Sequence, residues 1–283
     1  MKNLKNKIEN IINSIDGHKG VYIKDCSTHE VIEIHENRKF HAASTIKLPI
    51  LYDALLQIQN KKLSLNDTYQ LKSSDIVDGS GILKLMHIGL EVTLKDLLTL
   101  MIDVSDNVAT NILHDLLGKD HINGSIKNLK LQNTFFARKL MISDSNSYSY
   151  TTAKDLGILL EEFLICKNLN QAMANIGLHI LSNQQYNDRI SHHLVLCGNC
   201  HEYLGHKTTC SKCNEHASNF DQIYIPFAHK TGEINGVIHD AGILTLKDKK
   251  IIIVCLTDEL SDHGLGISIQ QKIGKIIFDY FNS

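Results

Sequence analysis

The chain has 283 residues, of which 43% are hydrophobic and 21% charged, and its formal net charge is −2. That length and apolar content suit one large or two intimate domains with a substantial core. The charge leaves no electrostatic footprint for nucleic acid, and no run approaches the roughly 18 apolar residues of a membrane helix, so neither is expected as a partner. Residues 1–16 show no apolar h-region and no small-residue cleavage site, which points to a cytoplasmic location. The 16 histidines are scattered.

In chain order, Leu4, Ile8, Ile11, Ile12 and Ile15 recur at helical spacing and predict a helix over 4–15. Residues 20–24 and 30–35 read as strands around the turn-forming stretch 25–29. A helix follows over about 44–59. Pro49 lies inside it and removes a donor to the Thr45 carbonyl, so an irregular start is expected. Residues 75–87, with Gly79-Ser80-Gly81, read as loop and then short helix. Thr93 to Asp96 forms a capping box that opens a helix to about 102. Ser105-Asp106-Asn107 is a break. The periodic helix over 109–117 is closed by Gly118. A short helix at 121–129 follows. Thr152 to Asp155 is a second capping box, opening a helix to about 166, with another over 169–181. Residues 223–231, 236–246 and 250–257 read as strands, and 264–281 as a C-terminal helix. No internal repeat is present.

The stretch Ala43-Ser44-Thr45-Ile46-Lys47-Leu48-Pro49 carries the first chemical signal. Ser44 is the only serine with a lysine three residues downstream. Three helical residues rotate the chain by about 300° and advance it about 4.5 Å, so the two side chains share a face. A serine hydroxyl needs a base to become a nucleophile, and an amine kept neutral by burial or a nearby cation can serve. Alone, the pattern also describes an ordinary helix start with a solvated lysine. Two further stretches, Ser105-Asp106-Asn107 and Lys230-Thr231-Gly232, each occur once and follow in order.

This ordered set resembles class A β-lactamases and penicillin-binding proteins over nearly the whole chain. The surroundings, Ala42 to Pro49, His229 to Glu233 and His239 to Gly242, are similar to a branch of class A-like serine hydrolases. The resemblance implies an α/β fold: an antiparallel sheet flanked by helices, plus an inserted all-helical domain. Residues 1–40 and 218–283 would form the α/β sandwich, and 41–217 the helical domain, with the active site between them. Ser44 would form an acyl-enzyme with an amide or ester, and Lys47 would be its base or part of the proton relay. Ser105 would pass a proton to the leaving group. Asn107 would orient Lys47 and bind the substrate amide. Lys230 and Thr231 would anchor a substrate carboxylate, and Gly232 would admit the substrate close to its strand. Oxyanion donors would be the N–H groups of Ser44 and Glu233. Asp106 and Asp240 read as scaffold. The implied substrate is a small molecule or peptide with a carbonyl and a carboxylate.

One departure stands out. Class A β-lactamases carry a loop glutamate that activates the deacylating water. The corresponding stretch 138–152 contains no glutamate, and Leu140 stands two after Arg138, where Arg-x-Glu would be expected. Asp144 is a conceivable substitute. Efficient β-lactam hydrolysis is therefore in doubt, and peptidase, esterase or acyl-transfer chemistry is the expectation.

Cys197-x-x-Cys200 and Cys210-x-x-Cys213 read as a four-thiolate zinc site in an insert at about 192–217. Disulfides are the alternative, disfavoured in a reducing cytosol. Cys197 to His201 also matches a haem-attachment pattern. His201, His206 and His216 are substitute ligands or surface residues. Four thiolates leave no open position, so the zinc would be structural, and the insert could wall the active site or dock a protein partner. Cys26, Cys166 and Cys255 read as buried thiols. An inactive relative that binds a partner through the insert is the competing reading; the intact serine, lysine and asparagine set argues against it.

Overall fold

A computed structural model describes residues 1–142, 147–200, 202, 204, 209–216 and 221–282. Helix α1 (Lys2–Ile12) precedes strands β1 (His18–Asp25), β2 (Val31–Ile34) and β3 (Phe40–His41). A 3₁₀ turn (Ala43–Ile46) leads into α2 (Lys47–Gln59). The helical stretch continues with β4 (Thr68–Gln70), 3₁₀ turns at Ser73–Asp75 and Leu83–Leu85, and β5 (Glu91–Thr93). Then come α3 (Leu94–Asp103), α4 (Asn107–Leu117), α5 (Lys119–Asn128), β6 (Tyr150–Thr151), α6 (Ala153–Ile165) and α7 (Gln171–Ser182). Short strands β7 (Val195–Cys197), β8 (Thr209–Cys210), β9 (Glu215–His216) and β10 (Gln222–Tyr224) follow. The chain ends with β11 (Phe227–Ile234), β12 (Val237–Leu246), β13 (Lys249–Asp258) and α8 (His263–Asn282).

The main sheet runs β11-β12-β13-β1-β2 with every neighbouring pair antiparallel. Successive side chains alternate between faces, and here both faces are apolar because both are covered. Val21, Ile23, Ile253 and Cys255 join the core formed with α1 and α8. Tyr22, Val254 and Leu256 join the other core, which contains the helical body. The link is α6, which packs on β1 and β13. Helix α2 is the centre of that body. It touches α3, α4, α5, α6 and α7 and buries every residue from Lys47 to Leu55.

Several boundaries moved for local reasons. The first helix stops at Ile12, because the chain turns through Gly17 at φ 76° to enter β1. The strand expected over 223–231 is two strands, β10 and β11, separated at Pro226, which has no N–H for a ladder. The stretch 75–87 holds a 3₁₀ turn and no α-helix. Thr93 and Asp96 form the reciprocal capping box. Thr152 accepts from the Asp155 N–H at 3.1 Å, but the Asp155 carboxylate turns instead to Asn133 N–H (2.8 Å) and Thr134 Oγ1 (2.9 Å). Cys255 is buried as expected, whereas Cys26 and Cys166 are only half-buried.

Asp106 ties the loop to the helical body. It caps α4 by accepting from Ala109 N–H at 2.9 Å, and its other oxygen accepts from Ile82 N–H (2.7 Å) and Leu83 N–H (2.8 Å). Losing a cap costs about 1 kcal/mol, and each buried donor left unpaired about 1–3 kcal/mol. Asp106→Ala should therefore lower unfolding free energy by about 3 kcal/mol or more in urea melts, with Asp106→Asn intermediate; a neutral Asp106→Ala would contradict this anchoring role.

Candidate active site

A turn, rather than a helix, carries Ser44. Pro49 is the third residue of α2, where its missing N–H has no helical partner to lose. The chain reaches that helix through the 3₁₀ turn, so the expected irregular start is there, and the α-helix begins at Lys47 instead of Ser44. Thr45 pins the turn by donating from its hydroxyl to the Ala42 carbonyl at 2.6 Å. Ala43 holds a left-handed φ of 44°, an uncommon backbone state that concentrates at functional sites. Ser44 is partly exposed while Thr45, Ile46 and Lys47 are buried.

The Lys47 amine donates to the Ser105 carbonyl (2.7 Å), Asn107 Oδ1 (2.9 Å) and Ser105 Oγ (3.0 Å). Ser105 is itself at φ 54° in the break between α3 and α4. Burial, and then the charge of Lys230, hold the Lys47 pKa well below that of an ordinary lysine. Lys230 is equally buried and is pushed down to about 7, first by burial and then by Arg189, with Asp240 and Asp103 opposing. Its amine donates to the Thr231 carbonyl at 2.8 Å. Asp103, at the end of α3, has its carboxyl pushed up to about 6 by burial, against the pull of Lys230.

Strand β11 passes close to the turn. A Cβ at Gly232 would lie 3.1 Å from Thr45 N and 3.2 Å from Ser44 N, which explains a glycine there. Two lobes of a cleft, about 560 and 520 Å³, meet at Ser44, Ser80, Glu233 and Ile234. One lobe has an apolar wall of Leu140, Met141 and Ile142, and the other is lined by Ser105, Thr231, Arg189 and His263. Leu140 is held through its backbone: its N–H donates to Asn111 Oδ1 (2.8 Å) and its carbonyl accepts from Asn111 Nδ2 (3.0 Å). Asp144 lies outside the described residues.

The expected residues thus come together, and several others join them. Arg189 donates to the carbonyls of Gly232 (3.0 Å) and His239 (2.8 Å) and to the Glu233 carboxylate. His263 Nε2 meets the other Glu233 oxygen at 2.7 Å. His229 pairs with Asp240 at 2.7 Å and with Asn187 Oδ1 at 3.1 Å, so Asp240 acts within the scaffold. His41 lines the cleft, stacks on Tyr148, and uses Nδ1 to accept from Ala43 N–H at 3.0 Å. Only a signal in the Asn187-Asp188-Arg189-Ile190 stretch, polar residues around an arginine in a chain with three, could have pointed to Arg189.

Outside the residues that line the two lobes, Cys197, Cys200, Cys210 and Cys213 bring their sulfurs within 4.8 Å of one another. Two of the separations are 4.0 Å (Cys197–Cys213) and 3.5 Å (Cys200–Cys210). A tetrahedron of sulfurs about 2.3 Å from a metal has edges of about 3.8 Å, so the donor set fits a tetrahedral ion. His216 is exposed, and His201 and His206 lie outside the described residues. Among the described residues no helix is long and apolar enough to cross a membrane.

Comparisons with known proteins agree with this fold. A sequence profile of the beta-lactamase enzyme family matches residues 3–281. Beta-lactamase VEB-1 of Pseudomonas aeruginosa is 22% identical over 292 residues, covering 99% of this chain and 90% of that protein. The match to beta-lactamase CARB-4 of the same organism, 28% identical, spans only 36% of that protein. A beta-lactamase structure from Sphaerobacter thermophilus has a TM-score of 0.82 and 26% identity, covering 99% of this chain and 97% of that one. PBP-A gives 0.83 and 21%, covering 100% and 97%. A point mutant of PBP-A was solved as an acyl-enzyme complex with penicillin G. Since the family profile spans nearly its whole length, the chain belongs to the beta-lactamase enzyme family.

Proposed function

We propose that the protein is a serine hydrolase or acyltransferase that forms an acyl-enzyme on Ser44. The observation that carries this reading is the Lys47 amine, buried among three acceptors and beside a second lysine, one turn from Ser44. Ser44 Oγ attacks the substrate carbonyl and gives its proton to Lys47. The oxyanion is held by the N–H groups of Ser44 and Glu233. The proton then passes through Ser105 Oγ to the leaving nitrogen or oxygen as the carbonyl re-forms, leaving an ester on Ser44. Lys230 and Thr231 attract a substrate carboxylate, and Asn107 orients both Lys47 and the substrate amide. This reading keeps the division into an α/β unit, 1–40 and 218–283, and a helical unit, 41–217, with the cleft between.

Release of the acyl group is the slow step in this proposal. Glu233, a carboxylate at the cleft, is engaged by Arg189 and His263. His41 spends Nδ1 on Ala43 N–H, so in its neutral form Nε2 carries the proton and offers no lone pair. A missing general base costs about 10²–10⁴-fold, enough for the ester to accumulate. The penicillin acyl-enzyme of the PBP-A mutant supports the β-lactam as a probe. Penicillin should therefore give a stoichiometric burst and a stable mass adduct on Ser44, abolished in a folded Ser44→Ala. Leu140→Glu should shorten the adduct's lifetime by about 10²-fold. Rapid turnover without an adduct in the wild type would overturn the slow-release reading.

The two lysines also set a pH profile. Lys47 must be neutral to act as a base, so acylation should rise with pH on a limb well below the ordinary lysine range. Lys230 carries its charge only below about 7. Acylation by a carboxylate-bearing substrate should therefore decline again as pH passes through about 7, while a neutral ester should show no such decline. Identical profiles for the two substrates would remove Lys230 as the carboxylate anchor.

For the four cysteines the proposed ion is zinc in a structural role, since four thiolates close its coordination. Free thiols in the chain suit a reducing, cytoplasmic setting. The insert remains a candidate docking surface for a protein partner. One zinc per chain is expected by elemental analysis of reduced protein, and Cys213→Ser should lose the metal and lower the melting temperature; metal-free protein with wild-type stability would reject the site.

A further inference from the structure

We propose that Arg189 is a positioning residue for the oxyanion hole, acting by polarising the Gly232–Glu233 peptide. This rests on the reading of Ser44 as the acyl-forming nucleophile. The Arg189 side chain is 3% exposed. One terminal nitrogen donates to the Gly232 carbonyl at 3.0 Å and the His239 carbonyl at 2.8 Å, and the other donates to the Glu233 carboxylate.

Gly232 and His239 face each other across β11 and β12. A single nitrogen that reaches both carbonyls places them side by side between the strands, as in a hydrogen-bonded pair of an antiparallel ladder. Glu233 then takes the alternate position, whose N–H faces away from β12. Because β11 is the edge strand, that N–H faces the open edge, beside the turn that bears Ser44.

The Gly232 carbonyl and the Glu233 N–H belong to one peptide unit. A cation donating to the oxygen end draws density from the nitrogen end and makes the N–H a stronger donor. Burial keeps that effect from being screened by water. The same bonds fix the plane of the peptide, so the donor needs no reorientation when charge develops on the substrate oxygen. Glu233 completes the device, with Arg189 on one carboxylate oxygen and His263 on the other at 2.7 Å. The carboxylate shares with that of Asp188, 3.5 Å from Nε, the compensation of a buried guanidinium.

The test compares full-length wild type, Arg189→Lys and Arg189→Ala with penicillin G as the probe. Stopped-flow kinetics gives the acylation rate and the non-covalent affinity. Infrared difference spectra give the ester carbonyl band of the acyl-enzyme, and thermal melts establish folding. Acylation should slow about tenfold or more in Arg189→Ala, short of the 10²–10³ lost with a whole oxyanion donor. The initial affinity should hold, and the carbonyl band should move to higher wavenumber, with Arg189→Lys intermediate. A rate loss with an unshifted band would mean a packing role only and would overturn the proposal, as would an unchanged rate. If Arg189→Ala does not fold, Arg189→Lys is judged by the same two readouts. A wild type that neither forms an adduct on Ser44 nor turns penicillin over removes the nucleophile reading and this inference together, whereas normal acylation with unaltered variants removes this inference alone.

Discussion

Two lysines buried in one site constrain much of what surrounds them. Lys47 and Lys230 are both fully buried; the charge of Lys230 disfavours an ammonium at Lys47, and that of Arg189 disfavours one at Lys230. Burial of a lysine is costly unless its charge is shed or its hydrogens are bonded. The fold answers with oxygen acceptors: Ser105 and Asn107 for Lys47, and the Thr231 carbonyl for Lys230. The left-handed backbone at Ala43 and Ser105 accompanies the placement of those groups. Asp106 turns its carboxylate to backbone N–H groups, which keeps the break before α4 in place. The strain and the unusual ionisation are thus parts of one arrangement.

The sheet supplies the second constraint. Its edge strand β11 has to approach the Ser44 turn closely, and Gly232 makes that approach possible. On the other side the strand is clasped by the short segment 187–190. Asn187 reaches His229, Arg189 reaches Gly232 and His239, and the Ile190 N–H reaches Asp240 at 3.2 Å. This segment has little regular structure of its own, yet it contacts both strands of the hairpin that carries the lysine motif. An irregular stretch can do this because its polar groups remain available for contacts outside a helix or ladder.

The helices were legible because their apolar period and caps are written locally. Leu4, Ile8 and Ile12, or Thr93 and Asp96, identify an element without reference to the rest of the chain. The strand at Pro226 and the shortened first helix were misjudged at their ends, where one missing donor or one turn residue decides. In the site, Ser44, Lys47, Ser105, Asn107 and Lys230 were visible because they sit in ordered motifs. Arg189, His263 and His41 were not, since each matters through a partner far off in sequence: Gly232, Glu233 and Tyr148. Asp155 shows the same limit on a smaller scale, because its best partners lie more than twenty residues away.

The cysteine insert illustrates how a segment can be built without a core. Among the described residues its own buried apolar cluster consists of Val195, Cys197, Leu204 and Cys210. Those four side chains alone are too little apolar area to offset the ordering of such a long excursion. The base of the excursion is secured differently. Ile225 N–H donates to the Leu194 carbonyl at 2.9 Å, and Ile190, Leu194, Ile225 and Phe227 are buried in the core shared with α1 and α8. The rooted base ends at the β7–β10 pair, whose last β7 residue is Cys197, and among the described residues its sulfur and those of Cys200, Cys210 and Cys213 are positioned to close the tip. Metal binding there would contribute folding free energy locally. The same root leads back within six residues to Arg189, so order in the insert and order at β11 share one covalent support.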